Sequence, residues 1–142
     1  MKIAIGNDHA GVALKNLIST YLKKTGHDVQ NFGTDSEVSC DYPDIAHPVA
    51  MVVQNSEADL GILICGTANG VAMTANKHKG IRAAIAWNSE IAGIVHAHNN
   101  ANILCIPARF VTGDEGVNIV EKYLSTSFEG GRHENRIKKI PC

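Results

Sequence analysis

The chain has 142 residues, with 13 basic and 14 acidic side chains and a formal net charge of −1. A length of roughly 150 residues is typical of one domain, and such a chain needs neither disulfides nor a metal to hold its core. The balanced charge argues against a broad nucleic-acid or anionic-membrane surface. No apolar run approaches the roughly 20 residues of a membrane helix, and the early polar residues of "MKIAIGND" argue against a signal peptide. We therefore expect one cytoplasmic domain over residues 1–142, with no nucleic-acid or membrane partner.

Short apolar segments alternate with longer segments of helical spacing. The predicted strands are KIAIG at 2–6, DVQNF at 28–32, LGILIC at 60–65, RAAIA at 82–86 and NILCIP at 102–107. The predicted helices are 12–25, 42–55, 70–79, 89–98 and 113–125. The third and fifth strands are almost continuously apolar, as parallel strands buried on both faces are. Five strand–helix repeats with short links predict a doubly wound, Rossmann-like α/β domain with a five-stranded parallel sheet.

The last segment, 125–142, is polar, basic and too short to fold by itself. We expect it to form an arm that packs on this chain or on a neighbouring subunit. Arg132 and Arg136 are four residues apart, so on a helix they would share a face and could hold one phosphate. A solvated basic tail is the simpler alternative, and His133 fits it.

Ligands of open parallel sheets bind beyond the carboxyl ends of the strands. This rule selects GNDHAG at 6–11, CGTANG at 65–70 and PAR at 107–109. Neither glycine segment is a nucleotide motif: Val12 stands where a P-loop has lysine, and G-x-G-x-x-G is absent. The rule does not select His98, because the helix after the fourth strand would carry it to the opposite edge of the sheet.

Cys65 ends the third predicted strand, directly before a small flexible loop. The four cysteines contain no CxxC pair, so their spacing indicates no zinc site. The partial positive charge of the following helix predicts a lowered pKa for the Cys65 thiol, and loop N–H groups could face a bound anion. A plain buried strand end is the alternative. Cys105 fits packing within its strand, and Cys40 and Cys142 carry no functional signal.

Seven segments, in this order, resemble those of the type B ribose-5-phosphate isomerases, whose superfamily includes allose-6-phosphate isomerase and galactose-6-phosphate isomerase subunits. They are GNDHAG (6–11), DYPD (41–44), ILICGTANGVAMTANK (62–77), GIRAA (80–84), HAHNNANIL (96–104), PAR (107–109) and EGGRHENR (129–136). The resemblance covers essentially the whole chain. It implies an aldose–ketose isomerase without metal or cofactor that interconverts ribose 5-phosphate and ribulose 5-phosphate through an enediolate. It also implies a homodimer, or a tetramer, with the active site at the subunit interface.

The resemblance assigns roles residue by residue. Cys65 is similar to the base that moves the proton between carbon 1 and carbon 2, and His98 to the acid that opens the sugar ring. Asp8 is similar to the acid that contacts the sugar and assists ring opening, and Thr67 lies near the reacting oxygens. The remaining substrate contacts that it implies are His9, Tyr42, Gly66, Ala68, Asn69, Gly70, Asn99, Arg109, Arg132 and Arg136.

Two residues in or next to the Cys65 loop show how this chain compares with the family. One branch of the family uses a glutamate base just after the last loop glycine, but Val71 stands there, so the chain resembles the cysteine branch. Ala68 replaces a glycine that the family usually has. If the backbone there has a positive φ, alanine costs roughly 1 kcal/mol; otherwise the backbone is ordinary, or one anion-binding N–H is displaced.

Three functions remain open from the sequence. The first is isomerisation of ribose 5-phosphate. The second is isomerisation of a six-carbon sugar phosphate such as allose or galactose 6-phosphate, which differs only in the depth of pocket required. The third is a non-catalytic sugar-phosphate-binding protein, for which Ala68 is the only motivation.

Overall fold

The computed structural model describes residues 1–141, which fold around one parallel sheet. Its strands are β1 (Lys2–Asn7), β2 (Asp28–Asn31), β3 (Leu60–Cys65), β4 (Ala83–Ile85) and β5 (Ile103–Pro107). All neighbouring strands pair in parallel, in the order β2-β1-β3-β5-β4. The predicted five-stranded, doubly wound α/β fold is therefore confirmed.

Six helices connect or follow these strands. They are α1 (Val12–Lys24), α2 (Pro43–Gln54), α3 (Asn69–Ala75), α4 (Ser89–Asn99), α5 (Gly113–Ser125) and α6 (Arg132–Ile137). None of the helices within residues 1–141 is both long and apolar enough to cross a membrane. The predicted helix 70–79 ends at Ala75 instead. The side-chain amide of Asn76 hydrogen-bonds both the N–H and the C=O of Ala83, each at 2.8 Å, and so covers the outer edge of β4.

Two apolar layers cover the sheet. α1, α4 and α5 pack on one face, around Ile18, Ile119 and Tyr123. α2 and α3 pack on the other, around Val49 and Ala72. Alternate residues of β3 enter the two layers, because successive side chains of a strand point to opposite faces. Cys65 consequently faces the α2–α3 layer, beside which the next loop begins.

The chain changes direction across the sheet between β1 and β3. After β1 it continues to β2 on one side, and after β2 it crosses to β3 on the other. The connections that leave the carboxyl ends of β1 and β3 therefore diverge, and a crevice opens between them. This crevice is where Asp8 and Cys65 meet.

One buried hydrogen bond joins the last long helix to the sheet. Tyr123 of α5 is fully buried, and its hydroxyl donates to the Ala101 carbonyl at 2.7 Å, just before β5. Removing the hydroxyl would leave that carbonyl without this donor in an apolar layer. Such a loss costs more than the bond itself contributes.

We expect Tyr123→Phe to lower the free energy of unfolding by about 1–3 kcal/mol, measured by urea denaturation. Tyr21→Phe, on the half-buried face of α1, is the matched control and should change it by less than about 0.5 kcal/mol. Equal effects of the two substitutions would contradict this account.

Candidate active site

The centre of the site is a thiol and a carboxylate that follow neighbouring strands. Asn7 pairs with Ile64 across β1 and β3, so Asp8 and Cys65 come next to one another. The Asp8 N–H donates to the Ile64 carbonyl at 3.1 Å. The Asp8 carboxylate accepts the Ala10 N–H at 2.9 Å, which caps a single 3₁₀ turn. Both side chains are buried, with 5% of Asp8 and 7% of Cys65 exposed.

The pKa of Cys65 is raised, so the expectation of a lowered pKa is wrong. Burial is the largest cause, and the hydrogen bond to Asp8 and the negative charge of Asp8 raise the pKa further. The N–H groups of Thr67 and Ala68 donate to the sulfur and lower the pKa, as expected at a helix N-terminus, but they are outweighed. At neutral pH Cys65 is therefore a thiol whose proton is held against Asp8.

Ala68 adopts the left-handed conformation that the family's usual glycine would favour. Its φ is +62° and its ψ is −9°, at the N-terminal cap of α3. An ordinary backbone at this position is therefore excluded. The methyl group is fully buried in the α2–α3 layer. Packing of this methyl helps to offset a strain of roughly 1–2 kcal/mol.

The side chains of Arg109 and Tyr42 pack against two glycines of the loop, Gly66 and Gly70. The backbone N–H of Arg109 donates to the Gly66 carbonyl at 3.2 Å, and a Cβ on Gly66 would lie 3.2 Å from Nε of Arg109. A Cβ on Gly70 would lie 2.5 Å from Cζ of Tyr42. Glycine at both positions lets a guanidinium and an aromatic ring approach the backbone around Cys65.

His9 follows Asp8 at the same crevice, and one of its two ring nitrogens already accepts a hydrogen bond. The Cys40 N–H donates to Nδ1 of His9 at 3.4 Å. Nδ1 is thus the acceptor, which leaves Nε2 as the donor of the neutral ring. His9 can therefore offer an N–H to an anion beside Asp8.

An open groove extends from this loop to the edge of the sheet. A cavity of about 480 Å³ is lined by Thr67, Asn69, Ile85, Trp87, Pro107 and Phe110. The neighbouring groove between α3 and β4, of about 550 Å³, includes Met73. Trp87, Phe110 and Met73 are all exposed large apolar side chains. These three side chains form an apolar rim along the two grooves, both of which include Asn69 of the loop.

His98 and the C-terminal arginines lie elsewhere in the same chain. α4 starts after the carboxyl end of β4 and runs back toward the opposite edge, so it carries His98 about 14 Å along its axis from Ser89. The arm follows it, since the Glu129 N–H donates to the Ala97 carbonyl at 3.0 Å and the His133 ring stacks on His98. One chain therefore brings together Asp8, His9, Tyr42, Cys65, Gly66, Thr67, Ala68, Asn69, Gly70 and Arg109. It leaves His98, Asn99, Arg132 and Arg136 as a second group.

The sequence and fold match one family over almost the full chain. Residues 3–140 match the family model described as Ribose/Galactose Isomerase. The chain belongs to this family. It is 48% identical to a probable ribose-5-phosphate isomerase B of Mycoplasma genitalium, over 97% of this chain and 92% of the relative. It is 41% identical to ribose-5-phosphate isomerase B of Escherichia coli, over 98% and 93%.

Solved structures of the family superpose closely on this chain. Ribose-5-phosphate isomerase B of Clostridium thermocellum gives a TM-score of 0.96 at 48% identity, covering 99% of this chain and 95% of that one. The Mycoplasma genitalium enzyme, crystallised with bound ribulose-5-phosphate, gives a TM-score of 0.94 at 48% identity, covering 98% and 93%.

Three buried or contacting residues beside these two groups, Asn7, Glu129 and His133, were not candidates from the sequence. Asn7 is fully buried, and its side-chain amide donates to the carbonyls of Asp8 at 2.9 Å and Thr34 at 3.0 Å. His133 is buried rather than part of a solvated tail, and Glu129 lies against it. The i,i+4 spacing of Glu129 and His133 in the sequence could have indicated that these two side chains meet.

Cys40, Cys65 and Cys105 are free thiols, and Cys142 lies outside the described residues.

The strain at Ala68 predicts an unusual tolerance to glycine. Ala68→Gly should change the free energy of unfolding by less than about 1 kcal/mol, because relief of the left-handed backbone offsets the lost burial of one methyl. Ala75→Gly is the control, since Ala75 is equally buried but helical. It should cost about 2 kcal/mol, measured by urea denaturation. Equal losses would mean that Ala68 is not strained.

Proposed function

We propose that this chain is an aldose–ketose isomerase that interconverts ribose 5-phosphate and ribulose 5-phosphate. The observation that carries the proposal is the buried Cys65 thiol, which lies next to the buried carboxylate of Asp8 at the start of the 66–70 loop. A base beside fixed N–H donors suits proton transfer next to a carbonyl, where negative charge develops on oxygen. The names of the relatives and the ribulose-5-phosphate complex of one of them support this substrate.

Cys65 acts as the base after its own proton passes to Asp8. The thiolate takes the proton from carbon 2 of the open-chain aldose, and the electron pair moves to the carbonyl oxygen at carbon 1 to form the enediolate. Cys65 then returns the proton to carbon 1, and the hydroxyl of Thr67 moves a proton between the two oxygens. The N–H groups of the 66–70 loop stabilise the enediolate charge, together with Asn99. Val71 provides no carboxylate for the alternative glutamate mechanism.

The phosphate and the closed sugar ring require further groups. Arg109 and His9 lie beside the thiol site and supply donors for the anion. His98 serves as the acid that protonates the ring oxygen, and Arg132 and Arg136, one turn apart on α6, hold the phosphate. Tyr42 forms a wall of the pocket. The reaction draws on both groups of residues, although they lie at opposite edges of one chain.

A homodimer resolves this separation. In a two-fold assembly the His98 group of each subunit covers the Cys65 group of the other, which completes two identical sites. The exposed apolar rim of Met73, Trp87 and Phe110 around the groove suits such an interface, because large apolar side chains are enriched at interface cores. A tetramer would be built from two such dimers.

The six-carbon alternative and the binding-protein alternative are both weaker. The ribulose-5-phosphate complex of a relative favours the five-carbon substrate. The binding-protein hypothesis rested on Ala68, whose N–H is still directed at Cys65.

Replacing the base tests the reaction itself. Cys65→Ala should lower kcat on ribose 5-phosphate by roughly 100- to 10,000-fold, the range expected for loss of a general base, as followed by NMR detection of ribulose 5-phosphate. Cys105→Ala, at a buried thiol of the same layer, should stay within a few-fold of wild type. Wild-type turnover should be higher on ribose 5-phosphate than on allose or galactose 6-phosphate. A folded Cys65→Ala protein with full activity would overturn the mechanism.

Mixing two inactive variants tests whether the site is shared. Cys65→Ala and His98→Ala subunits should each be inactive as homodimers. After co-refolding, random pairing makes half of the dimers mixed, and each mixed dimer has one intact site, so about one quarter of wild-type activity should return. A site formed within one chain would give no recovery.

A further inference from the structure

We infer that Glu129 and His133 are positioning residues that hold the His98 ring in one orientation, so that His98 meets the sugar in a fixed pose. The inference rests on the proposed ring-opening role of His98. It concerns three side chains of one subunit that lie apart from the Cys65 group. Neither Glu129 nor His133 was a candidate from the sequence.

The two imidazoles form a close stack with one carboxylate oxygen beside it. The ring centroids of His98 and His133 are 4.3 Å apart, and their planes differ by only 9°. Oε2 of Glu129 lies 3.6 Å from Nε2 of each ring. The two rings differ in exposure, since 39% of the His98 side chain is exposed and 7% of that of His133. His98 is therefore the ring that can reach a substrate, and His133 is its buried platform.

The local backbone explains how the arm reaches α4. The Glu129 N–H donates to the Ala97 carbonyl at 3.0 Å, one residue before His98. Gly130 and Gly131 then have positive φ values of +68° and +57°, which glycine adopts without strain. The reversal starts α6 so that His133, four residues after Glu129, turns its ring back onto His98.

A divalent cation is a poorer explanation of the same cluster. The ligand atoms of His98, Glu129 and His133 lie within 4.8 Å of one another, which is close enough for a metal site. A zinc ion would lie about 2.1 Å from each ring nitrogen, along lone pairs in the planes of both rings. Two nearly parallel, stacked planes do not converge on such a point. The stack therefore suits mutual packing and a shared carboxylate.

The surrounding charges disfavour a proton on His133. The pKa of His133 is lowered by desolvation first, and then by the charges of His98, Arg132 and Arg136, while Glu129 opposes them. His133 thus stays neutral, and a neutral ring can lie against His98 without charge repulsion.

The groups that α5 packs against α4 contact other residues of that helix. The stem of Lys122 packs over Gly93, and the Tyr123 carbonyl contacts His96. Neither contact is with His98. The charges facing the stack consequently come from the arm.

The role of Glu129 is tested with Glu129→Gln, which keeps the shape of the side chain, and Glu129→Ala, which removes it. The NMR shifts of the His98 ring protons, measured at one fixed pH, report the stacked ring of His133; they should stay as in wild type in Glu129→Gln and change in Glu129→Ala. The kcat on ribose 5-phosphate should fall about fivefold in Glu129→Ala with little change in KM, because the acid is less well oriented. Glu134→Ala, at an exposed glutamate of the same arm, should change neither.

The platform role is tested at His133. His133→Phe keeps a flat ring and should retain kcat within about threefold, whereas His133→Ala should lose about tenfold in kcat with little change in KM. Unchanged His98 ring shifts in Glu129→Ala overturn the role of Glu129, and wild-type kcat in His133→Ala overturns the platform role. The NMR spectrum needs no turnover, so it separates this inference from the proposed function. If wild type has no isomerase activity, the spectrum still decides the role of Glu129.

Discussion

The proximity of Cys65 and Asp8 depends on the order of the strands. The two residues are far apart in sequence, and they meet because β1 and β3 are neighbours and the chain diverges at their carboxyl ends. That divergence leaves room for a ligand where two backbones would otherwise close the gap. The loop after Cys65 begins at the same point, and Arg109 and Tyr42 approach its glycines. The positions of the carboxylate, the thiol and the glycine loop are all consequences of one switch point.

A raised Cys65 pKa suits a base that is needed only in the presence of substrate. A permanent thiolate would be exposed to oxidation, because the thiolate is the reactive form. Here burial and the charge of Asp8 keep the sulfur protonated. Ala68 combines a cost and a gain in a similar way. Its left-handed backbone is strained, while its methyl group packs in the core. Strain of this kind is commonly found at functional sites.

The fold was predictable because buried parallel strands have a strong apolar signal, and the carboxyl-end rule then selected Asp8, Cys65 and Arg109. The errors arose where distant residues meet. The helix expected over 70–79 stops at Ala75 because Asn76 pairs with Ala83, and that pairing depends on the position of β4. The pKa of Cys65 was expected to fall because only the local helix is visible in sequence, whereas Asp8 acts through the sheet. The sequence favoured a solvated polar tail at His133, because His98, on which its ring stacks, lies far away in sequence on α4.

The arm and α4 form one unit, and this simplifies what a dimer must achieve. Within a single chain the Glu129 N–H is bonded to Ala97 and the His133 ring is stacked on His98. The ring proposed as the acid is thus oriented before any partner arrives, and Arg132 and Arg136 are carried on the same short helix. In the proposed dimer, the interface has only to set one rigid-body placement, since each group is already built by its own subunit. The entropy of ordering the catalytic side chains is then lost during folding and does not weaken association.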